Sequence, residues 1–476
     1  MLGLIIVAVY FLAMIAIGLV SRGRARGVDD FFVAGRKGSP LFITGSLLAT
    51  IIGGSATVGM AGLGFKQGLT GAWWLLVGSI GLLVLGLFFA DKVRKFGLYT
   101  LPELVGKQYD SRIALAASVL IVVSWLGVIA GQIVASGKIL SVLGIGSPAL
   151  WMVVVTAVFV VYTMLGGQYA VIRTDALQLG IIFAGIFGGL ALVLSRLGGL
   201  SGLRVYLSPE QFAFPLSPNF GGKELVSYLL LVGLTYVVGP DMYSRLFCAR
   251  DIKTARVSVF LTALLIIPFA FAITLIGMGA SALFPQISPE QAFPTIINGV
   301  LPPFLGGLVL AALLAAVMSS ADTCLLTVST ILTVDIVGRF KPSLSQKEII
   351  SLSRWGIVVV GLCSLLLALT LKGVINALLF AYTVYTCGLI LPVIAGFYKN
   401  RLKVTPLGAL VAIIGGGSVA LISKLFNIEY LDLGGLLISG LLLFIVSFID
   451  NRIRSRRLQK FRNILDFRGG EKGKSA

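Results

Sequence analysis

Thirteen apolar segments, each long enough to cross a lipid bilayer, recur along this chain at roughly 1–20, 41–64, 71–90, 113–142, 149–166, 175–195, 225–243, 257–283, 304–334, 353–371, 374–397, 407–424 and 433–450. Hydrocarbon offers the backbone no hydrogen-bond partners, so runs of this length read as helices that pair every N–H and C=O internally. Composition agrees. With 57% hydrophobic residues, 12% charged residues and a mean hydropathy of +1.02 over 476 residues, the chain lies far from any soluble globular protein. The expectation is an all-α polytopic membrane protein of about 13 transmembrane helices, integral to the plasma membrane.

The basic residues orient it. With the amino terminus outside, 31 of the 38 Lys and Arg fall in cytoplasmic segments, six fall outside and Lys138 lies within a span. The net charge of +19 therefore reflects the positive-inside pattern, and the carboxyl terminus is cytoplasmic. The tail residues Arg452, Arg454, Arg456, Arg457, Lys460 and Arg462 suit anionic membrane lipids, and nucleic acid is a poor partner. Residues 1–20 read as a retained first span, because the basic cluster Arg22, Arg24, Arg26 follows the apolar run where a signal peptide would place it first. The four cysteines show no CxxC spacing and the chain has no histidine, which argues against disulfide frameworks, zinc and haem, and leaves little for the acid–base work of a membrane enzyme.

Soluble insertions are short and no phosphate-binding loop occurs, so a gradient must drive any transport. Within one span, Ser319-Ser320-Ala321-Asp322-Thr323 begins a run of oxygen-bearing side chains that continues to Thr327 and Thr330. An ionised Asp near a bilayer centre costs about 3 kcal/mol and is kept only with a partner or an ion. Ser319 and Asp322, like Ser320 and Thr323, share helix faces, and hard oxygens so aligned suit a small hard cation. Thr327 and Thr330 are read more simply, as hydroxyls bonded back to their own helix or to a neighbouring one. Two spans five apart are interrupted, the second at Gly53-Gly54-Ser55 and the seventh at Gly239-Pro240-Asp241. Paired breaks suggest inverted repeats over 41–195 and 225–397, flanked by an extra first span (1–20), two extra spans (407–450) and a basic cytoplasmic tail (451–476).

Four stretches together resemble the sodium/solute symporter family, which includes carriers of proline, pantothenate and sugars. They are Asp29-Asp30-Phe31-Phe32-Val33-Ala34-Gly35-Arg36; Gly166-Gly167-Gln168-Tyr169-Ala170-Val171-Ile172-Arg173-Thr174-Asp175 with Gln178; the run from Ser319 to Thr330 with Asp335; and, more weakly, Gly239 to Arg245. The resemblance implies a leucine-transporter-like fold, a five-helix inverted repeat with discontinuous helices that works by alternating access. It implies a sodium site at Ala49, Ile52, Ala316, Ser319 and Ser320, and a possible second cation site at Asp175, Asp322 and Thr323. Asp175 could alternatively cap the start of its span. The solute would lie near Ser55, Thr57, Thr235, Tyr236, Tyr382 and Tyr385. Ile51 and Val232 stand where choline carriers of the family place a cage, which argues against choline. No buried Arg or Lys is evident other than Lys138, read as snorkelling to the interface, and Trp73 and Trp74 are read as interfacial belt residues. The expected function is Na+-coupled symport of a small organic solute, first an amino acid such as proline. Proton-coupled symport through Asp175 and Asp322 is the alternative, and a channel or a transporter-like sensor a more distant one.

Overall fold

The computed structural model describes residues 2–24, 27–371, 373–426, 428 and 431–472. Arg26 and the last four residues lie outside that set, as do the side chains of Lys460 and Arg462. Among the described residues the chain is helical, with only two isolated β-bridges, Gly38 with Ala249 and Ser217 with Phe220. Eleven helices among the described residues are long and apolar enough to cross a membrane: α1 (Leu2–Arg22), α3 (Ser55–Phe96), α4 (Ser111–Leu143), α5 (Pro148–Leu197), α6 (Gly222–Cys248), α7 (Ile252–Leu283), α8 (Pro303–Phe340), α9 (Gln346–Ala368), α10 (Val374–Gly396), α11 (Pro406–Lys424) and α12 (Leu433–Arg457). The short apolar helix Pro40–Ile51, here α2, precedes α3.

Thirteen expected segments become eleven long helices because two of them hold more than one segment. α3 contains the second half of a broken helix and then the third span, joined through the 3-10 turn Gly68–Ala72. α5 contains the fifth and sixth segments, joined at Gly167, whose φ of 52° and ψ of −143° interrupt the helix. Only glycine serves there: φ is positive, and a Cβ would stand 2.6 Å from the Phe31 carbonyl oxygen. Two of the sequence motifs are thereby seated against each other.

Both expected breaks are present. α2 ends at Ile51, Ile52-Gly53-Gly54 are non-helical, and a π-turn restarts the chain at Ser55. The Gly54 amide, left without a helical partner, donates to Gln132 Oε1 of α4 at 2.7 Å. The absence of a Cβ lets α4 and α8 close on this turn, since one at Gly53 would stand 3.0 Å from both Gln132 Oε1 and Ser320 Cβ. In α6 the helix stops at Val237; Gly239 is extended and Pro240, which has no N–H to give a preceding turn, opens the half-helix Pro240–Cys248.

The chain forms two compact units. The first comprises residues 1–104 and 121–383 and contains both breaks. At its centre runs α8, 83% buried over its most apolar stretch against 28% for α1, packed on α5, α1, α9 and α2. The second comprises 105–120 and 384–476. There α11 lies along α12, Tyr109 donates to the Pro392 carbonyl at 2.7 Å, and Lys399 donates to the Gln108 carbonyl at 3.0 Å.

Candidate functional site

The hydroxyl stripe of α8 meets the unwound end of α2. Ser319 Oγ donates to the Ala49 carbonyl at 2.7 Å and lies 3.0 Å from the Ala316 carbonyl of its own helix. Ser320 Oγ donates to the Thr50 carbonyl at 2.5 Å and lies 3.2 Å from that of Ala316. Carbonyls near a helix end keep unused lone pairs, so the break concentrates acceptors opposite two hydroxyls. Five uncharged hard oxygens at hydrogen-bond spacing form a donor set that fits Na+ once the hydroxyl protons turn away. Of the five residues expected to hold sodium, Ala49, Ala316, Ser319 and Ser320 are brought together this way. Ile52 is the first residue past the helix, its amide bonded to the Leu48 carbonyl at 2.9 Å. Sequence reasoning missed the Thr50 carbonyl, since main-chain acceptors carry no residue signature.

The second expected cluster is assembled as well, around a residue the sequence reading placed elsewhere. The span bounds 225–243 and 257–283 put Arg245 in a cytoplasmic loop; it is completely buried. Its Nη2 lies 3.4 Å from Asp175 Oδ2, contacts Thr323 Oγ1 and lies 3.4 Å from Thr50 Oγ1. Ser46 Oγ also donates to Asp175 Oδ2. Asp322, one residue before Thr323, accepts from the Tyr162 hydroxyl at 2.6 Å through Oδ2 and from Thr323 Oγ1 at 3.3 Å through Oδ1. The cation that Asp175 and Thr323 hold in this structure is therefore a guanidinium. Burial without a partner would make either charge very costly, which explains why the half-helix after the break turns Arg245 inward. A signal was available: Arg245 closes the weakest of the four motifs, four residues after Asp241 on the same helix face.

Asp175 is no cap. It lies mid-helix in α5 and is fully buried, while Thr174 bonds back to Ala170 and Val171 carbonyls at 3.1 and 2.9 Å. Thr330 bonds back to the Leu326 carbonyl at 2.8 Å as expected, and Ser329 donates across to the Ser353 carbonyl of α9 at 2.6 Å. Lys138 pairs with Glu290, whose carboxylate also accepts from the Val374 amide at 3.3 Å, so the head group read as snorkelling has an inter-segment ion-pair partner. The interfacial reading is corrected for Trp74, which the fold buries. Trp74 is buried edge-on to Tyr228, and Trp73 stacks on Phe214 with its indole N–H donating to the Pro215 carbonyl at 2.8 Å.

Between the two breaks lies a small cavity. Ser55, Thr235, Tyr236 and Tyr382 line it, as expected of the solute site, and Ser320 of the hydroxyl pair forms part of its wall. Thr57 turns instead to the Gly53 carbonyl at 2.8 Å, and Tyr385 is buried within the second unit. Trp125, Gln132 and Asp241 line the cavity too and were not foreseen, although a tryptophan at mid-span, away from any interfacial belt, was a readable sign.

Broken helices facing each other across a cavity, with hydroxyls and main-chain carbonyls gathered at its wall, define a secondary transporter of the leucine-transporter-like fold. Comparison with known proteins makes the assignment specific: residues 31–416 match the sodium:solute symporter family, and the chain belongs to it. It is 27% identical to a sodium/glucose cotransporter of Vibrio parahaemolyticus over 88% of this chain and 84% of that one. It is 26% identical to the sodium/pantothenate symporter of Escherichia coli (90% and 92% covered) and to a high-affinity proline transporter of Bacillus subtilis (92% and 96% covered). Among solved structures it superposes on a Na+-coupled sialic acid symporter in a substrate-bound outward-open state with a TM-score of 0.80, at 19% identity, covering 94% of this chain and 98% of that one. A nucleobase-cation-symport-1 family transporter in a closed conformation gives 0.62 at 15% identity, covering 90% and 95%. The protein is thus a multi-pass membrane transporter with sodium as coupling ion.

Proposed function

We propose that sodium binds between α2 and α8 on the Ala49, Thr50 and Ala316 carbonyls and the Ser319 and Ser320 hydroxyls, with Ile52 just past the helix end as the remaining expected ligand, and that a small organic solute binds in the adjoining cavity against Ser55, Thr235, Tyr236 and Tyr382. The observation that carries this reading is the position of Ser320. Its hydroxyl bonds the Thr50 carbonyl of the broken helix and its side chain also forms part of the cavity wall, so ion and solute share one residue. Sodium there ties the unwound end of α2 to α8, and the solute then meets a site already shaped. Solute in turn holds the ion's ligands in place. Linkage makes that coupling reciprocal, as symport requires.

An amino acid such as proline is the first choice of solute. Proline transporters are among the relatives, and Tyr236, which by the family resemblance stands where proline carriers place a tyrosine, lines the cavity. The two inverted repeats run over 41–195 and 225–397, each led by its broken helix, and the chain acts as a carrier and not as an enzyme. The exposed basic face of Arg452, Arg454, Arg456 and Arg457 contacts anionic lipid.

The test is thermal stability of the purified protein with candidate solutes, each in sodium, in potassium, and at low pH without sodium. A ligand that binds the folded state raises its midpoint. Stabilisation by a solute in sodium alone supports the reading. Stabilisation indifferent to sodium, or confined to low pH, refutes it in favour of proton coupling.

A further inference from the structure

Asp241 differs from every other charged side chain near the helix breaks. Asp175, Asp322 and Arg245 are completely buried and engaged with one another's partners, whereas Asp241 keeps accessible surface, and that surface borders the cavity. Among the described residues it is the one charged side chain lining the cavity, where no Lys or Arg is found. Arg245, one turn further along the same half-helix, could have neutralised it. Its guanidinium is turned to Asp175 and Thr323 instead. Among the described residues no ion pair reaches the Asp241 carboxylate.

The backbone around the carboxylate favours negative charge. Asp241 is the second residue of the half-helix Pro240–Cys248, where unpaired amides and the helix dipole favour negative charge. The rest of the wall is aromatic and weakly polar. Trp125 and Tyr382 lie with ring centroids 6.4 Å apart, and Tyr236 lines the same space. Aromatic faces attract a cation and repel an anion. A carboxylate left facing a cavity of low dielectric, among rings, asks for a positive charge that the protein itself does not supply.

Resting on the solute site proposed above, we infer that Asp241 is its anionic subsite and that the transported solute carries an ammonium group, with its hydrocarbon part against Trp125, Tyr236 and Tyr382. A free carboxylate on the solute is not required by any side chain of the wall. A neutral sugar would satisfy hydrogen bonds but leave the charge uncompensated, and an organic acid would be repelled.

The experiment is the sodium-dependent stabilisation of the purified, full-length protein by a library of amines, amino acids, sugars and carboxylates. The library includes L-proline with two analogues, prolinol, which keeps the amine and loses the carboxylate, and 2-tetrahydrofuroate, which does the reverse. The expected result is that every stabilising solute carries an ammonium, and that Asp241→Asn weakens its binding about thirtyfold or more, the lower end for removing one partner of a buried charge pair. Asp241→Glu should recover most of that loss, and the stabilisation by sodium alone should persist in both variants. A sodium-dependent response to glucose, pantothenate or tetrahydrofuroate would overturn the inference while leaving symport intact, as would unchanged affinity in Asp241→Asn. If no member of the library acts with sodium, the symport reading and this inference fall together. Should Asp241→Asn not fold, the charge of the solutes that stabilise the wild type decides by itself.

Discussion

Replacing Arg245 by Gln isolates the role of the buried guanidinium. Arg245 Nη2 stands 3.4 Å from Asp175 Oδ2, and both side chains are fully buried. Two unit charges at that separation attract by about 5 kcal/mol at an effective dielectric near 20. Desolvation offsets much of this, so the pair as a whole adds little net stability; removing one member is different, because it strands the other charge in the interior at about 3–5 kcal/mol. Arg245→Gln and Asp175→Asn should therefore each lower the unfolding midpoint in detergent substantially, and the double variant should be more stable than the sum of the two losses predicts. The variants also separate two kinds of cation binding. With the guanidinium gone, Asp175, Thr323 and Asp322 form an all-oxygen set, and sodium or acid should stabilise Arg245→Gln more than it stabilises the wild type, an excess that the double variant lacks. Thermal unfolding in sodium and in potassium, at neutral and at low pH, reads all of this. Strictly additive losses, or an identical sodium response in wild type and Arg245→Gln, would refute the view that Arg245 serves as the resident cation of this cluster.

Three further outcomes can be checked. Ser319→Ala removes a hydroxyl placed 2.7 Å from the Ala49 carbonyl and should raise the sodium concentration for half-maximal solute binding far more than it lowers protein yield; an unchanged sodium dependence would take Ser319 out of the site. Asp322→Asn, which alters the acceptor of the Tyr162 hydroxyl, should change the number of coupled ions or the pH dependence of uptake, and wild-type coupling would assign Asp322 to helix packing. Outside the membrane, Asp251 caps α7 by accepting from the Thr254 amide at 2.7 Å, and that hydrogen bond holds its carboxyl below the usual value of 3.8. Since the folded form binds the proton less readily, the cap's contribution is complete above about pH 4 and is lost as the pH falls through the lowered value. Hydrogen exchange at the start of α7, corrected for intrinsic rates, should quicken below that pH in the wild type and not in Asp251→Asn; equal pH profiles would exclude the cap.

Much of this protein is legible in one dimension because the bilayer imposes a one-dimensional rule. A helix that must satisfy its own backbone needs a continuous apolar run, so the spans, their two interruptions and the polar stripe at 319–323 could be read residue by residue. Ser319 and Ser320 were found because they share helix faces with Asp322 and Thr323 in a run that resembles the family's motif, and Gly53-Gly54 and Gly239-Pro240 because adjacent glycines, or glycine before proline, weaken a helix. What only the tertiary structure decided is where side chains from different spans meet. The sequence cannot show that Thr50 supplies a carbonyl, that Gln132 of α4 receives the Gly54 amide, or that Asp241 faces the cavity while Arg245 faces Asp175. Periodicity locates a residue on its own helix but not the neighbour it looks at, and a charge written between two apolar runs reads as solvent-exposed until packing encloses it. Arg245 was misplaced for that reason: the chain's local chemistry specified the breaks and the ion's hydroxyls, and the long-range packing of α2, α5, α6 and α8 chose which charges would be paired inside.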